Sequence, residues 1–113
     1  MSAPWPPPPD LHSIQELVRA ADPEKHLAEG APADEYEPEE QSIFEAIHHL
    51  STADLLVPNI LPPIEHIWTK SFSLNAEDLA ERRPALLSLA KEIERFFGPE
   101  SKPRTRAEII ASS

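Results

Sequence analysis

Residues 22–40, DPEKHLAEGAPADEYEPEE, contain a dense set of helix start and stop signals. Asp22 can cap the start of a helix, and Pro23 suits its first position because the N–H that proline lacks has no helical partner there. Gly30 can adopt the left-handed conformation that commonly ends a helix. We therefore predict a short helix over residues 23–29.

Apolar residues on both sides of this stretch recur at helical spacing. The helix before it can begin at either Asp10 or Ser13, since both residue types cap helices. The helix after it has Pro38 in its first turn, followed by acidic residues that the helix dipole favours. The first stripe consists of Leu11, Ile14, Leu17, Val18 and Ala21, and the second of Ile43, Phe44, Ile47 and Leu50.

Capping residues and prolines divide the second half of the chain into further helical segments. Ser51, with Asp54 three residues later, starts a short helix that Pro58 must limit, and a longer stripe follows two consecutive prolines. Asn75 caps a segment that Pro84 either kinks or divides. The longer stripe consists of Ile64, Ile67, Trp68 and Phe72, and the last one consists of Leu86, Leu89, Ala90, Ile93, Phe96 and Phe97 before Gly98-Pro99.

The expected architecture is all-α: a small compact bundle of about four main helices plus short helical segments, because no stretch alternates as a half-buried strand does. The chain has 113 residues and a hydrophobic fraction of 40%, which suits one small core. We divide it into a proline-rich flexible arm (1–9), a helical domain (10–98) and a flexible tail (99–113). Cysteine is missing, and no apolar run approaches the roughly 18–20 residues of a membrane span, so we expect a soluble, cytoplasmic protein.

Nearly all of the net charge of −10 lies in the amino-terminal part of the chain. Residues 1–45 hold eleven acidic and two basic residues, a balance of −9, whereas residues 46–113 hold nine and eight, a balance of −1. Such a field repels phosphate backbones and anionic lipid, and it attracts basic protein surfaces. We therefore expect a basic protein as partner, and neither nucleic acid nor a membrane.

The acidic stretch GAPADEYEPEE, residues 30–40, has four interpretations. It could be a calcium site, a catalytic carboxylate pair, the start of a helix, or a partner-binding surface. A calcium loop beginning at Asp34 would place Glu39 where an EF-hand needs glycine, and nothing predicts the burial that acid catalysis requires. Tyr36 is expected to anchor the loop on the bundle, with its hydroxyl bonded to a backbone group or water. The candidate partner-binding residues are Asp34, Glu35, Tyr36, Glu37, Glu39 and Glu40.

The sequence predicts no catalytic residues, no metal site and no cofactor. The five histidines form no HExxH motif, and the adjacent His48 and His49 point about 100° apart on a helix. With two glycines in the whole chain, a glycine-rich phosphate loop is excluded. A small hydrolase that uses His48 or His49 with a nearby acid is the weakest of the functional hypotheses.

Residues 22–47 carry a motif that resembles a family of small bacterial helical proteins known only as a domain of unknown function. The pattern is DP, then Leu, then GAP, then DEY followed by an acidic residue or proline pair and an apolar residue. The segment Phe96-Phe97-Gly98 resembles the aromatic-rich final helix of that family. The resemblance implies a small helical fold and no particular activity. The matching residues are Asp22, Pro23, Leu27, Gly30, Ala31, Pro32, Asp34, Glu35, Tyr36, Glu39 and Ile43.

These observations favour a non-enzymatic binding protein. Its most concrete form is an immunity protein or antitoxin whose carboxylates mimic phosphate at the active site of a basic toxin such as a nuclease. The alternative is a structural or adaptor module of a larger assembly, which would use the proline-rich arm or an apolar face. That face consists of Ile64, Trp68 and Phe72, although such a stripe more often lies in the core.

Overall fold

The computed structural model describes residues 9–32 and 35–99, and the regular elements of this part are helices. They are α1 (Leu11–Ala21), α2 (Glu37–Ile47), a short 3-10 helix (Thr52–Asp54), α3 (Val57–Phe72) and α4 (Ala76–Phe97). The predicted all-α class with four main helices is therefore confirmed. Within the described residues, no helix combines the length and the apolar character that crossing a membrane requires.

The four main helices close a ring around one core. Each helix packs against two others, through the pairs α1–α2, α2–α3, α3–α4 and α4–α1. Most residues of the predicted stripes face this core, as expected for amphipathic helices. The buried hydrophobic residues are Ile14, Leu17, Val18, Tyr36, Ile43, Ile47, Leu55, Ile60, Ile64, Trp68, Leu86, Leu89, Ala90, Ile93, Phe96 and Phe97.

Both candidate capping residues act at the start of α1, but Asp10 is the N-cap. Its Oδ2 accepts a hydrogen bond from the backbone N–H of Ser13 at 2.9 Å, and its Oδ1 accepts one from the Ser13 hydroxyl at 2.8 Å. At the other end, the backbone of Asp22 turns left-handed (φ 43°) and its N–H donates to the carbonyl of Val18. Asp22 therefore ends α1.

The predicted helix over residues 23–29 is wrong: this stretch is a series of turns. An N-cap aspartate would accept N–H groups two or three residues further on. Asp22 instead accepts those of Leu27 and Ala28, at 3.1 and 2.9 Å, so the chain forms a wider loop around the carboxylate. Gly30 has the predicted positive φ (99°), and it closes this loop rather than a helix.

Helix α3 begins earlier than its prolines predict. Pro58 lies in the first turn of α3, where no N–H is needed, so it starts this helix instead of limiting the 3-10 helix before it. The N–H of Val57 donates to Oε1 of Glu94 on α4 at 2.9 Å, which provides a cap from a distant segment. Pro62 and Pro63 lie inside α3 and leave two successive carbonyl groups of its first turns without a helical donor.

Helix α4 is continuous, although the sequence allows a division at Pro84. Asn75 caps it as predicted: its Oδ1 accepts the N–H of Asp78 at 2.8 Å, and the Asp78 carboxylate accepts the N–H of Asn75 at 3.5 Å. Pro84 lies in the exposed part of the helix interior. The helix continues because its opposite side packs on both α3 and α1.

The predicted flexible arm and tail fall almost entirely on residues 1–8 and 100–113, which lie outside the described residues, as do residues 33 and 34. The division into arm, domain and tail therefore remains a prediction.

Gly98 lies where α4 ends against the segment that precedes α3. A Cβ atom at this position would come within 2.6 Å of the Glu94 carbonyl oxygen and 2.7 Å of the Leu55 carbonyl oxygen. Because both are backbone atoms, the chain would have to shift, and we expect Gly98→Ala to lower the free energy of unfolding by about 1–3 kcal/mol. Urea denaturation measures this change.

Ser88→Ala, an exposed substitution on the same helix, serves as the control and should change stability by less than about 0.5 kcal/mol. Equal stability of Gly98→Ala and the unmodified protein would contradict the close approach of α4 to Leu55.

Candidate functional site

The first six motif residues, from Asp22 to Pro32, lie in the connecting segment, which we define as residues 22–32 between α1 and α2. The carboxylate of Asp22 accepts three hydrogen bonds: from the N–H groups of Leu27 and Ala28, and from the hydroxyl of Tyr36 at 2.6 Å. Burial works against the charge of Asp22, but these hydrogen bonds outweigh it, so its pKa lies below the ordinary value. The carboxylate organises the loop around itself.

The hydroxyl of Tyr36, which comes after the connecting segment in the sequence, is the second group around which the backbone N–H groups of this segment are arranged. Besides donating to Asp22, it accepts the backbone N–H groups of Glu24 at 3.0 Å and His26 at 3.4 Å. Burial, together with the Asp22 carboxylate, raises the pKa of Tyr36 well above its ordinary value, so the phenol stays protonated. The predicted role of Tyr36 as an anchor is confirmed, and its complete burial leaves none of it for a partner.

The ring of Tyr36 belongs to an aromatic group that reaches α3. The His26 ring stacks on the Tyr36 ring with centroids 5.7 Å apart. The centroid of the Trp68 ring on α3 lies 5.9 Å from that of Tyr36. Phe72 contacts Trp68 at 5.4 Å. Ile64 and Trp68 are completely buried and Phe72 partly so. The alternative partner face of Ile64, Trp68 and Phe72 therefore belongs mainly to the core. The indole of Trp68 lies against the connecting segment, where it is hydrogen-bonded to Glu24.

A buried carboxylate links the connecting segment to α3 and α4. Oε2 of Glu24 accepts a hydrogen bond from the indole N–H of Trp68 at 2.9 Å and one from Nε of Arg82 at 2.8 Å. The hydrogen bond to Glu24 raises the pKa of the Arg82 guanidinium above its ordinary value. Sequence reasoning missed this group, since the partners of Glu24 lie 44 and 58 residues away and no local pattern connects them.

Two of the predicted surface carboxylates are buried in the first turn of α2. Glu40 is completely buried and accepts two hydrogen bonds from the Arg19 guanidinium of α1, at 3.1 and 3.2 Å. Burial nevertheless raises the pKa of its carboxyl. Glu39 is also buried, and desolvation, helped by the nearby Glu35 charge, raises its pKa. Neither carboxylate is placed to contact a partner, because the helix turns both toward the bundle.

Glu35 and Glu37 are the predicted partner-binding residues that do reach the surface. Oε1 of Glu35 lies 3.3 Å from Nδ1 of His26, whereas Glu37 forms no ion pair with another described residue. Asp34 lies outside the described residues. In the described part of the chain, no group of three or more histidine, aspartate or glutamate side chains could hold a metal ion.

Comparison of the chain with models of known families, with curated proteins and with solved structures finds no match. The resemblance in residues 22–47 therefore remains a prediction. The structure gives the motif a physical meaning, because Asp22 and Tyr36 are hydrogen-bonded to each other and Gly30 has a positive φ in the loop between them.

Tyr36→Phe should test this anchor, since it keeps the ring and removes the hydroxyl. Asp22 and the N–H of Glu24 would lose a partner, and we expect the free energy of unfolding to fall by about 1–3 kcal/mol at pH 7. The folded pKa of Asp22 is lowered, so its contribution is present above the unfolded value near 3.9 and is lost in more acidic solution. The deficit of the variant should shrink correspondingly in acid.

Urea denaturation between pH 7 and pH 3 measures both effects. Ser51→Ala removes an exposed hydroxyl that donates to Asp54, and this control should cost less than about 0.5 kcal/mol. A Tyr36→Phe variant no less stable than this control would show that the hydroxyl does not hold the connecting segment.

Glu39→Gln should stabilise the protein at neutral pH. A carboxyl whose folded pKa is raised binds its proton more tightly in the folded state, so its charge opposes folding above that pKa. We expect a gain of about 0.5–1 kcal/mol at pH 7. The gain should fade as the pH drops through the raised pKa and vanish below the unfolded value of about 4.3.

The exposed neighbour Glu37 supplies the matched control. Glu37→Gln should leave the free energy of unfolding unchanged within about 0.5 kcal/mol at pH 7 and at pH 4. Thermal denaturation at pH 7 and pH 4 separates the two variants. A loss of stability in Glu39→Gln at pH 7 would mean that the dipole of α2 stabilises this carboxylate more than burial destabilises it.

Proposed function

We propose that this chain is a non-enzymatic protein-binding module whose acidic surface engages a basic protein. The observation that carries the proposal is the outer side of α2, where Glu37, Gln41 and Glu45 are exposed at intervals of four residues and therefore share one side of the helix. Helix α2 contains no lysine or arginine. This side of the helix, which we call the acidic face and define as Glu37, Gln41 and Glu45, therefore carries charge of one sign.

Two carboxylates elsewhere in the described chain are paired with arginine, unlike those of the acidic face. Glu65 and Glu92 each accept a hydrogen bond from an arginine, Arg83 and Arg95 respectively, at 2.8 Å. On the acidic face, by contrast, Glu45 accepts a hydrogen bond from the neutral Gln41. Carboxylates without a basic partner among the described residues can attract an approaching basic surface, which raises the association rate more than it raises the affinity.

The most specific form of the proposal is an immunity protein or antitoxin that covers the active site of a basic toxin such as a nuclease. The carboxylates of the acidic face would then occupy positions where the toxin binds phosphate. An adaptor that uses the face of Ile64 and Trp68 is disfavoured, because both side chains are completely buried.

Salt-dependent capture tests the proposal. We expect the full-length protein, recovered from the cells that produce it, to bring down a basic protein in low salt and to lose it at about 0.5 M salt, where charges are screened within about 4 Å. Mass spectrometry identifies the partner. Recovery of the same partner at both salt concentrations would contradict an electrostatic interface.

Charge reversal on the acidic face then locates the interface. We expect Glu37→Lys/Glu45→Lys to slow association with the captured partner about tenfold or more in low salt. The control Asp54→Lys/Glu77→Lys makes the same change of net charge at two exposed positions outside the acidic face, and it should have a clearly smaller effect. Equal rates for the two variants would show that overall charge, and not this face, attracts the partner.

A further inference from the structure

A cleft of about 380 Å³ lies between the connecting segment and α4. Pockets for small ligands span roughly 300–1,000 Å³, so this cleft has the size for one small molecule. Its walls include Pro23, Pro84 and Ala85, which supply apolar surface. The cleft is separate from the acidic face of α2, and a ligand there would be independent of the proposed function.

Arg82 is held in place at one side of the cleft. Its Nε donates to the buried Glu24, whose same oxygen also accepts the indole N–H of Trp68. The Glu24 side chain is 7% exposed, and these two hydrogen bonds hold its carboxylate in place. Nε is occupied and one terminal nitrogen lies 3.6 Å from Oε2 of Glu81. That distance is too long for a hydrogen bond, so the terminal nitrogens can still donate to a ligand, and a guanidinium group fits a carboxylate well.

Lys25 supplies a second positive charge to the same cleft. It is exposed and has a left-handed backbone (φ 62°), a conformation that costs a residue with a side chain energy and often occurs at binding sites. Hydrogen bonds fix this geometry: the N–H of Lys25 donates to the carbonyl of Asp22, and its own carbonyl accepts the N–H of Glu29. The ammonium group therefore extends from an ordered turn.

Two further carboxylates, besides the Glu24 carboxylate that is paired with Arg82, complete the lining. Glu29 is exposed, and the Glu81 side chain is 72% exposed with its Oε2 3.6 Å from a terminal nitrogen of Arg82. A metal ion does not fit such a lining, because two cations line the cleft and no group of metal ligands occurs among the described residues. A ligand with one charge only would meet repulsion from either the cations or the acids.

We propose that this cleft binds a small zwitterion, a free amino acid with an aliphatic side chain. Its carboxylate contacts Arg82 and Lys25, its ammonium group contacts Glu29 and Glu81, and its side chain packs on the prolines. Each charged group of the ligand thus meets a charge of opposite sign, and the apolar part meets the apolar wall.

Titration of the ¹⁵N-labelled full chain with L-leucine, followed by NMR, tests the proposal directly. We expect saturable shifts at the backbone amides of Lys25, Glu29, Arg82 and Ala85. N-acetyl-L-leucine lacks the ammonium group and L-leucine amide lacks the carboxylate. Each should bind at least about tenfold more weakly, because one charge-assisted hydrogen bond is lost.

Variants on both sides of the cleft complete the experiment. Lys25→Gln changes an exposed side chain and leaves the Glu24 group intact, and we expect L-leucine to bind it several-fold more weakly. Arg82→Lys keeps the charge beside Glu24 but loses the fork, with a larger expected loss. Lys91→Gln, at an exposed site on α4 outside the cleft, is the matched control and should bind as the unmodified protein does.

Three results would overturn the proposal: shifts that grow linearly without saturation, equal binding of leucine and either blocked derivative, or unchanged binding by Lys25→Gln. Capture of a basic protein through the acidic face of α2 is a separate measurement, so either proposal can fail without the other.

Discussion

The hydrogen bond from the Tyr36 hydroxyl to the Asp22 carboxylate is the contact on which the irregular part of this fold depends. The connecting segment has no helix to satisfy its backbone groups, and these two side chains together accept four of its N–H groups. A partly buried network of hydrogen bonds of this kind is strong when complete and costly when one member is lost. It fixes the path of the chain between α1 and α2.

That path determines where Glu24 lies, and Glu24 connects the segment to the rest of the bundle. Its carboxylate reaches the indole of α3 and the guanidinium of α4 at once. The same contacts support both the core position of Trp68 and the position of Arg82 beside the cleft. Glu24 thus holds the Trp68 indole in the core and also positions the Arg82 guanidinium beside the cleft. The connecting segment therefore contributes to the position of a charged donor as well as to stability.

The acidic residues of the amino-terminal part divide into two groups once the chain is folded. Glu24 and Glu40 are paired with arginines and tie helices together, while Glu37 and Glu45 face outward without a basic partner among the described residues. The net charge alone did not distinguish them. Glu39 stands between these groups, because it is buried yet has no arginine, so its charge carries an energetic cost.

The sequence by itself determined the helical class, most of the core-facing stripes and the cap at Asn75, and it limited the cap of α1 to Asp10 or Ser13, because spacing and capping are local properties. It misplaced residues 23–29, since the same Asp-Pro and Gly signals also suit a loop once a distant tyrosine supplies a hydroxyl. The start of α3, the burial of Glu39 and Glu40, and the group around Glu24 were decided by tertiary structure. Each depends on packing or hydrogen bonds between segments that are far apart in the sequence, which no local pattern contains.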